Sequence, residues 1–263
     1  MLSVLASAEE QAASVEANLA AIQAHYATEV FDRDGIRFCF SGLKWRVLNG
    51  AVLAHLDQPK AEGRIAETLA WFRERSVPWR WIVGPLSAPP DLGTRLVGAG
   101  MRAASDHPGM VLRLDRMRDE PPDLAGLEVR EVVDETDFGG WADVQRDTWG
   151  LSAESDAAWR SAHLRLGFGR ELPLRNYLAE LDGKPVGGAA VFFAEGVAGI
   201  YNVAVIPEAR GKGIGREVTL AALRDARELG FSLSTLGSSD LGLPVYLRIG
   251  YEEVCRIRVY VVD

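Results

Sequence analysis

Residues 210–216 combine closely spaced glycines with basic side chains, which is a combination suited to binding an anion. The residues concerned are Arg210, Gly211, Lys212, Gly213, Gly215 and Arg216. Glycine has no Cβ, so the backbone can approach a ligand closely. A helix is predicted to begin near Gly213, and the free N–H groups and positive dipole end of a helix start favour an anion. The sequence therefore predicts a phosphate-binding loop that uses backbone N–H groups more than side chains.

Two common phosphate-binding motifs do not fit this loop. A P-loop requires Ser or Thr after its lysine, whereas Lys212 is followed by Gly213. A dinucleotide-binding fingerprint has the spacing G-x-G-x-x-G early in a βαβ unit. Here the spacing is G-x-G-x-G, and too little chain follows for a doubly wound sheet. A nucleotide-binding protein is therefore the weakest of the functions considered.

The elements on either side of the loop are a buried strand and an amphipathic helix. The strand holds the β-branched residues Val203, Val205 and Ile206, and Pro207 ends it. Apolar residues then recur at helical spacing, and Gly230 is a suitable stop. The loop is thus predicted to join the end of a strand to the start of a helix.

The loop and the strand before it resemble the acetyl-CoA-binding segment of GCN5-related N-acetyltransferases (GNAT). The family pattern is (Arg/Gln)-x-x-Gly-x-(Gly/Ala) after a strand that ends in Val-x-Pro. Its positions are filled by Val205, Pro207, Arg210, Gly213 and Gly215. The predicted order of elements over residues 127–263 is also similar to that of the family. The resemblance implies acetyl-CoA as co-substrate, with these binding residues: Val203, Ala204, Val205, Arg210, Gly211, Lys212, Gly213, Ile214, Gly215, Arg216, Ser239 and Tyr246.

The resemblance also implies roles in catalysis. In the family the pantetheine arm pairs with the strand before the loop, and a backbone amide there polarises the thioester carbonyl. Tyr246 stands four residues before the pair Gly250-Tyr251, where many relatives have a tyrosine that protonates the leaving thiolate. A phenol of pKa ~10 can protonate a thiolate of pKa ~8.5. The alternative for Tyr246 is a packing role. Pro244 suggests a short helix that starts near Leu243.

The general base is less clearly indicated by the sequence. Glu195, in the turn before the central strand, is the preferred candidate, and Glu180 and Glu154 are alternatives. Such carboxylates are more often solvated surface groups. Tyr201 and Asn202 on the central strand could instead orient a water relay. The four histidines show no ligand spacing, so no metal is expected.

The two halves of the chain share an order of elements, which predicts an internal duplication. The tripeptide Asp-Leu-Gly occurs at 91–93 and at 240–242, each time before a short predicted helix. The fold class predicted is α/β (α+β), with two GNAT-like domains, each a mixed, mostly antiparallel twisted sheet flanked by helices. The predicted boundaries are a degenerate domain at 1–117, a linker at 118–126 and a catalytic domain at 127–263.

The upstream position that corresponds to the glycine loop is residues 56–64. It has one glycine, Gly63, and an acidic residue, Glu62. These residues neither allow the backbone to approach a phosphate closely nor supply a net positive charge. Only the downstream loop is therefore expected to bind a cofactor, which gives one cofactor per chain. Upstream of it, residues 45–48 are predicted as a strand and Asn49-Gly50 as a hairpin turn.

Composition limits the classes of partner. The net charge is −8, with 29 basic and 37 acidic residues. Nucleic acid and anionic membranes are therefore not expected partners. Cys39 and Cys255 are expected to be small buried hydrophobes rather than a disulfide or a metal pair. A cytoplasmic protein, monomeric or homodimeric, is predicted.

The function predicted is transfer of an acetyl group from acetyl-CoA to a primary amine by direct attack in a ternary complex. The acceptor is expected to be a small molecule or a peptide amino terminus. The alternative is a non-catalytic acyl-CoA-binding sensor or interaction module, which needs the loop but no general base.

Overall fold

The computed structural model describes residues 7–120 and 124–262. The helices are α1 (Ala8–Tyr26), α2 (Ala61–Glu74), α3 (Leu92–Gly98), α4 (Glu135–Trp149), α5 (Ala153–Leu166), α6 (Ile214–Glu228) and α7 (Leu243–Ile249). The strands of the N-terminal half are β1 (Glu29–Arg33), β2 (Ile36–Phe40), β3 (Gly50–Val52), β4 (Arg80–Val83) and β5 (Arg102–Arg113). Those of the C-terminal half are β6 (Leu127–Glu131), β7 (Leu174–Leu181), β8 (Lys184–Ala194), β9 (Val197–Val205), β10 (Leu233–Gly237) and β11 (Glu252–Val261).

All these strands belong to one mixed sheet of eleven strands, in the order β1-β2-β3-β4-β11-β5-β10-β9-β8-β7-β6. The predicted fold class, a mixed sheet flanked by helices, is confirmed. The last strands of the two halves are exchanged in this sheet. β11 pairs antiparallel with β4 of the N-terminal half, and β5 pairs antiparallel with β10 of the C-terminal half. β5 and β11 also pair with each other, so the strands of the two halves are hydrogen-bonded into one continuous sheet.

The helices cover the two faces of the sheet in different combinations. On β5, Met110 and Leu112 pack in the same buried cluster as α6, while Val111 packs on the other face in a cluster with Val15 of α1. On β11, Tyr260 packs with the core of α2 and α3, while Ile257 joins the α1 cluster. Side chains of a strand alternate between faces. It follows that α2, α3, α6 and α7 lie on one face, and α1 lies on the other.

The starts of several helices follow from local sequence. Ser7 and Glu10 form a capping box at α1, and Asp134 and Ser152 cap α4 and α5 by accepting hydrogen bonds from backbone N–H groups. These side chains satisfy amides that have no partner in the first turn of a helix. At α6 the cap residue is Gly213, and no side chain caps the helix. Its first amides are thus left available.

The internal duplication is visible in the element order. The series α2–β4–α3–β5 in the N-terminal half corresponds to α6–β10–α7–β11 in the C-terminal half. Both Asp-Leu-Gly tripeptides lie at the start of a helix of seven residues, α3 or α7. At the upstream loop, the side chain of Glu62 forms an ion pair with Arg95 of α3. An acidic group therefore lies where the downstream copy has its glycines.

Two local predictions were wrong. Residues 45–48 are not a strand, because Arg46–Leu48 form a 3-10 helix. Asn49-Gly50 is not a hairpin turn. Asn49 is fully buried, and its side-chain amide donates to the carbonyl oxygens of Leu43, Trp45 and Pro78. The Asn49 side chain thus joins two backbone segments, residues 43–45 and Pro78, and Gly50 begins a strand.

Other local predictions agree with the structure, with small shifts at the ends. The apolar spacing of residues 3–25 predicts a helix, which corresponds to α1; positions 3–6 lie outside the described residues. Cys39 is buried, Cys255 is partly buried, and both are free thiols whose pKa is raised by burial to about 12. Among the described helices none has the length and apolarity required to cross a membrane.

Candidate active site

The glycine loop joins β9 to α6 through a short 3-10 turn at Pro207–Ala209. Gly211 and Gly213 have φ angles of +78° and +85°. Residues with a Cβ rarely adopt this left-handed region. The backbone conformation by itself therefore favours glycine at both positions. α6 begins directly after Gly213. The predicted strand, loop and helix are therefore present in the expected order.

Six consecutive backbone amides of the loop, at residues 211–216, donate no hydrogen bond to any other described residue. The first helical bond of α6 is donated by the amide of Glu217 to the carbonyl of Gly213, at 3.1 Å. Free amides at a helix start carry partial positive charge and lie at the positive end of the helix dipole. The backbone itself thus presents a row of free donors that suits an anion.

The three basic side chains of the loop have different surroundings. Arg210 Nε donates to the carbonyl of Val205 at 3.1 Å. Arg216 donates to the carbonyls of Arg118 (3.0 Å) and Glu120 in the segment that connects the two halves. Lys212 is exposed and contacts no other described charged group. Because Arg216 binds the connecting segment, the side-chain charge directed at a ligand is smaller than the sequence suggested.

Gly215 has room around it for a side chain. A Cβ added there would meet only Val205 Cγ2, at an ordinary contact distance of 3.4 Å. At Gly187 of β8, in contrast, a Cβ would lie 2.7 Å from Ile214 Cγ2. Packing within the protein therefore explains why residue 187 is a glycine, but it does not explain why residue 215 is one. The space beside Gly215 is open to a ligand.

β9 and β10 are parallel neighbours that separate before β9 ends. Their pairing covers Ala198–Ser234, Gly199–Thr235 and Ile200–Leu236, after which β9 continues to Val205. We call this separation the fork. The edge of β9 at residues 201–205 consequently has no partner strand on the β10 side. An unpaired strand edge is a template for an extended chain.

A bulge lies in β9 at the fork. The register with β8 shifts between the pairs Ala190–Tyr201 and Gly188–Ala204, and Asn202 has a φ of +54°. Gln145 of α4 donates through Nε2 to the Asn202 carbonyl at 2.9 Å. Bulges next to active sites re-aim backbone groups. The role of Gln145 in holding this bulge was not predicted, because no sequence signal links it to a residue so distant in the chain.

Tyr246 lies on the face of the sheet that α6 and α7 cover. It is 7% exposed and belongs to the same buried cluster as Ile200 and Leu236, the last pair of the fork. Its ring packs edge-on against Tyr251, with 5.8 Å between the centroids. Its hydroxyl forms no hydrogen bond with a described residue, and burial raises its pKa. The structure therefore brings a protonated, unpartnered phenol close to the fork.

The remaining predicted residues are placed differently. Ser239 is exposed after β10, where its hydroxyl accepts from the amide of Gly242 at 3.2 Å, beside Tyr246. Glu195 is exposed in the turn between β8 and β9. It is six residues from Tyr201 along the chain, roughly 15–20 Å in an extended strand. Glu180 and Glu154 form ion pairs with Arg130 (3.1 Å) and Lys44 (3.7 Å). The structure does not bring Glu195 to the fork.

A cavity of about 250 Å³ lies at the fork on the α1 face of the sheet. Tyr201, Thr235 and Gly237 line it from β9 and β10, and Leu19 lines it from α1. Arg80 of β4 and residues of β5 and β11 complete the wall. The cavity thus lies between the two halves of the chain and on the side of the sheet opposite Tyr246.

A buried titratable side chain of α5 is His163. His163 is fully enclosed; its Nδ1 lies 3.1 Å from the carbonyl oxygen of Trp159, and its Nε2 lies 3.1 Å from the hydroxyl of Tyr26. A carbonyl only accepts, so Nδ1 carries the proton and Nε2 accepts from Tyr26. Burial lowers the pKa of His163 to about 4, so the ring is neutral at physiological pH.

Comparison with known proteins identifies the C-terminal part of the chain. Residues 138–251 match the model of the acetyltransferase (GNAT) family. This segment includes the fork, the glycine loop and Tyr246. No curated protein matches the chain in sequence.

Solved structures resemble nearly the whole chain. A GCN5-related N-acetyltransferase from Kribbella flavida is similar with a TM-score of 0.75 and 19% identity, over 95% of each chain. A functionally unknown conserved protein from Staphylococcus epidermidis is similar with a TM-score of 0.68 and 12% identity, over 90% of this chain and 94% of the other. A tandem GNAT protein from the clavulanic acid biosynthesis pathway has a TM-score of 0.55 and 18% identity, over 86% of this chain and 78% of its own. At these identities the likeness shows the fold alone.

Proposed function

Residues 138–251 belong to the GNAT family, and from this premise we propose that the chain transfers an acetyl group from acetyl-CoA to a primary amine. The acceptor is a small molecule or a peptide amino terminus, and it attacks directly in a ternary complex. The observation that carries this proposal is the combination of two backbone features. Six free amides at residues 211–216 lie next to an unpaired strand edge at residues 201–205.

These two features fit the two chemically different parts of acetyl-CoA. The amides suit its pyrophosphate, because they are free donors at the positive end of a helix. The β9 edge suits its pantetheine arm, whose amide groups can pair as an added strand does. The open space at Gly215 allows a phosphate to approach the backbone. The chain's residues therefore fit this co-substrate without any rearrangement of the loop.

Acetyl-CoA supplies an activated acyl group, and the protein's residues position and assist the transfer. A backbone amide along residues 203–205 donates to the thioester carbonyl and stabilises the developing oxyanion. Tyr246 donates its proton to the leaving sulfur. Burial raises the pKa of this phenol, and the same buried setting disfavours a free thiolate. The proton therefore remains on Tyr246 until the carbon–sulfur bond breaks.

The acceptor amine must lose a proton to attack. Glu195 stays a prediction for this step, and its position in the exposed turn at the far end of β9 gives it no support. Tyr201 lines the cavity at the fork, and its hydroxyl donates to Asn18 Oδ1 at 2.7 Å. Its oxygen keeps lone pairs that can accept a hydrogen bond from a water molecule. We propose that a water held there relays the proton from the amine to solvent.

One observation favours the second candidate, a non-catalytic acyl-CoA-binding sensor. No Asp or Glu of the described residues lines the cavity at the fork. A sensor would keep the glycine loop and would not need a base. Such a protein would bind acetyl-CoA as tightly as an enzyme would, so binding alone does not separate the candidates.

The test combines calorimetric titration with acetyl-CoA and a thiol-release assay against a panel of primary amines and short peptides. We expect one acetyl-CoA per chain and release of CoA that depends on an amine. Binding without amine-dependent release across the panel would favour the sensor. Absence of acetyl-CoA binding would overturn both candidates.

A further inference from the structure

We propose that the acceptor amine carries a carboxylate and that Arg80, from the N-terminal half, binds this carboxylate in the cavity at the fork. The inference rests on the proposed function for the identity of the reacting amine. It adds the chemical class of the acceptor, a small amino acid or a molecule with the same amine and carboxylate groups. It also gives the N-terminal half a part in recognising the substrate.

The charge of the cavity is the first observation. Its lining contains Arg46, Arg80 and His107 and no carboxylate from the described residues. The chain as a whole has a net charge of −8. A positive cavity in an acidic protein is not a consequence of composition. It concentrates and selects an anionic group.

The partners of Arg80 are the second observation. Its Nε and Nη2 donate to the same atom, Gln23 Oε1, at 3.2 and 2.8 Å, and Nη2 also approaches the carbonyl of Val47 at 3.3 Å. Gln23 is itself buried, and its Nε2 donates to the same Val47 carbonyl at 2.9 Å. Nη1 has no partner among the described residues. Neutral oxygens thus hold the guanidinium in place without neutralising its charge.

Arg80 is partly buried and forms no ion pair with a described residue, which is unusual for a charged group largely removed from water. Burial lowers the pKa of Arg80 to about 10, so the group is still charged at neutral pH. Most buried charges are paired, because desolvation of a lone ion is unfavourable. A carboxylate bound at Nη1 would supply the missing negative charge. The free Nη1 group can donate a charge-assisted hydrogen bond to such a carboxylate.

The rest of the cavity indicates what the carboxylate is attached to. Apolar side chains such as Leu19, Ile82 and Ile257 form much of the wall, and the volume is about 250 Å³. Thr235 also lines the cavity, and its buried hydroxyl has no partner among the described residues. The cavity therefore suits a small, partly apolar ligand, and the Thr235 hydroxyl could bind one polar group of that ligand.

The position of the cavity orients such a molecule. Tyr201 and Thr235 lie at the fork, and Arg80 lies on β4, beyond the exchanged strands β11 and β5. A carboxylate at Arg80 leaves the amine to extend toward the fork, where the β9 edge is unpaired. Tyr246 is on the other face of the sheet. The residues that bind the acceptor and the residue that protonates the leaving thiol would therefore lie on opposite faces of the sheet.

The experiment compares each of the twenty L-amino acids with its carboxamide as acceptor, with the full-length wild-type protein and an Arg80→Gln variant. For at least one amino acid we expect the wild type to prefer the carboxylate by ~10- to 100-fold in kcat/KM, the range of a charge-assisted hydrogen bond. Arg80→Gln should abolish the preference while keeping turnover of the amide. Arg80→Lys should restore part of it.

Three controls separate this inference from the proposed function. The acetyl-CoA affinity of Arg80→Gln should equal that of the wild type, and its melting temperature shows whether it is folded. An aminophosphonate matched to the best amino acid tests whether another anion is accepted, and equal or better turnover of it would overturn the choice of carboxylate. Turnover of amides or simple amines without preference for a carboxylate would overturn the role of Arg80 and leave the acetyltransferase intact.

If no amine is turned over, binding of the N-acetylated amino acids is measured by calorimetry in the presence of CoA. Binding by the wild type that weakens at least ~10-fold in Arg80→Gln would support the carboxylate site independently of catalysis. Equal affinity in the two proteins, or no binding by either, would overturn it.

Discussion

Ile200 of β9 and Leu236 of β10 form the last pair between these two parallel strands, and beyond them the strands separate. Tyr246 packs in the same buried cluster as this pair, on one face of the sheet. On the other face, Tyr201 and Thr235, the neighbours of the pair, line the cavity that contains Arg80. A single point in the sheet thus relates the proposed site of the leaving group to the proposed site of the acceptor.

The glycine loop can be tested at Gly215, where the protein itself has room for a side chain. Gly215→Glu should weaken acetyl-CoA binding by about 10-fold or more, because a carboxylate would then occupy an anion site. The fold should tolerate the change, since an acidic residue in the first turn of a helix is favourable. Calorimetry measures the affinity, and thermal unfolding measures the stability.

The matched control is Gly63→Glu in α2, where a Cβ would meet nothing within 4 Å. This position belongs to the upstream loop that lacks the other glycines. Its acetyl-CoA affinity should remain that of the wild type. Equal loss of affinity in both variants would contradict the assignment of one cofactor site per chain.

The acid role of Tyr246 predicts a separation between turnover and stability. Tyr246→Phe should lower kcat by about 10²–10⁴-fold, the usual contribution of a general acid. Because its hydroxyl has no partner among the described residues, the variant should unfold at nearly the same temperature. The dissociation constant of acetyl-CoA should change little. Full turnover by Tyr246→Phe would remove this residue from the mechanism.

Tyr251→Phe is the control for a neighbouring ring with a structural hydroxyl. The Tyr251 oxygen lies 2.6 Å from Ser234 Oγ, which in turn donates to the Ala198 carbonyl at 2.7 Å. Loss of this hydrogen bond should lower the free energy of unfolding by about 1 kcal/mol. Its kcat should stay near that of the wild type, the reverse of the pattern expected for Tyr246→Phe.

His163 predicts a dependence of stability on pH. Its pKa falls from 6.5 in the unfolded chain to about 4 in the fold because it is buried. Above pH 6.5 both states are neutral; below it only the unfolded state takes up the proton, so stability falls as the pH drops from about 6.5 to 4. The loss contributed by His163 between about pH 7.5 and 5 is about 2 kcal/mol.

Denaturant unfolding at the two pH values measures this effect. His163→Gln removes the titrating ring, so the difference in unfolding free energy between the two pH values should shrink by about 2 kcal/mol. A His163→Gln protein with the full wild-type pH dependence would contradict the assignment.

The exchanged strands predict that the two halves unfold together. Tyr260 belongs to the last strand of the C-terminal half but is buried in the core of α2 and α3, at 6% exposure. Tyr260→Ala should lower the free energy of unfolding by about 3–5 kcal/mol, as for other large aromatic residues in cores. Calorimetry should show one transition at a lower temperature. Glu252→Ala, exposed on the same strand, should change little.

Two separate transitions, of which Tyr260→Ala shifts only one, would show that the halves are independent despite the shared sheet. Such a result would favour the predicted boundaries at 1–117 and 127–263 as folding units. A single transition would instead mean that neither half keeps its stability without the strand from the other.

Structural features that depend only on neighbouring residues could be predicted from the sequence. Gly213 and Gly215 could be recognised because backbone conformation and steric room are properties of single positions. The turn before α6, the short helix after Pro244 and the buried strand that ends at Pro207 follow from similar local rules. The prediction failed at Asn49, because one partner of its side chain, Pro78, lies in a distant segment that only the fold brings close.

The sequence by itself determined the glycine loop, the strand and helix that flank it, and the resemblance that assigns them to acetyl-CoA. Only the tertiary structure decided that β5 and β11 are exchanged and that Arg80 lies in a cavity beside the fork. Strand pairing joins residues that are far apart in the sequence. The alternation of side chains along a strand is the same whichever strand it pairs with, so this pattern does not identify the partner. The charge of a cavity also depends on which distant segments meet. For that reason Arg80, far from the loop in sequence, gave no signal of a functional role before the fold was known.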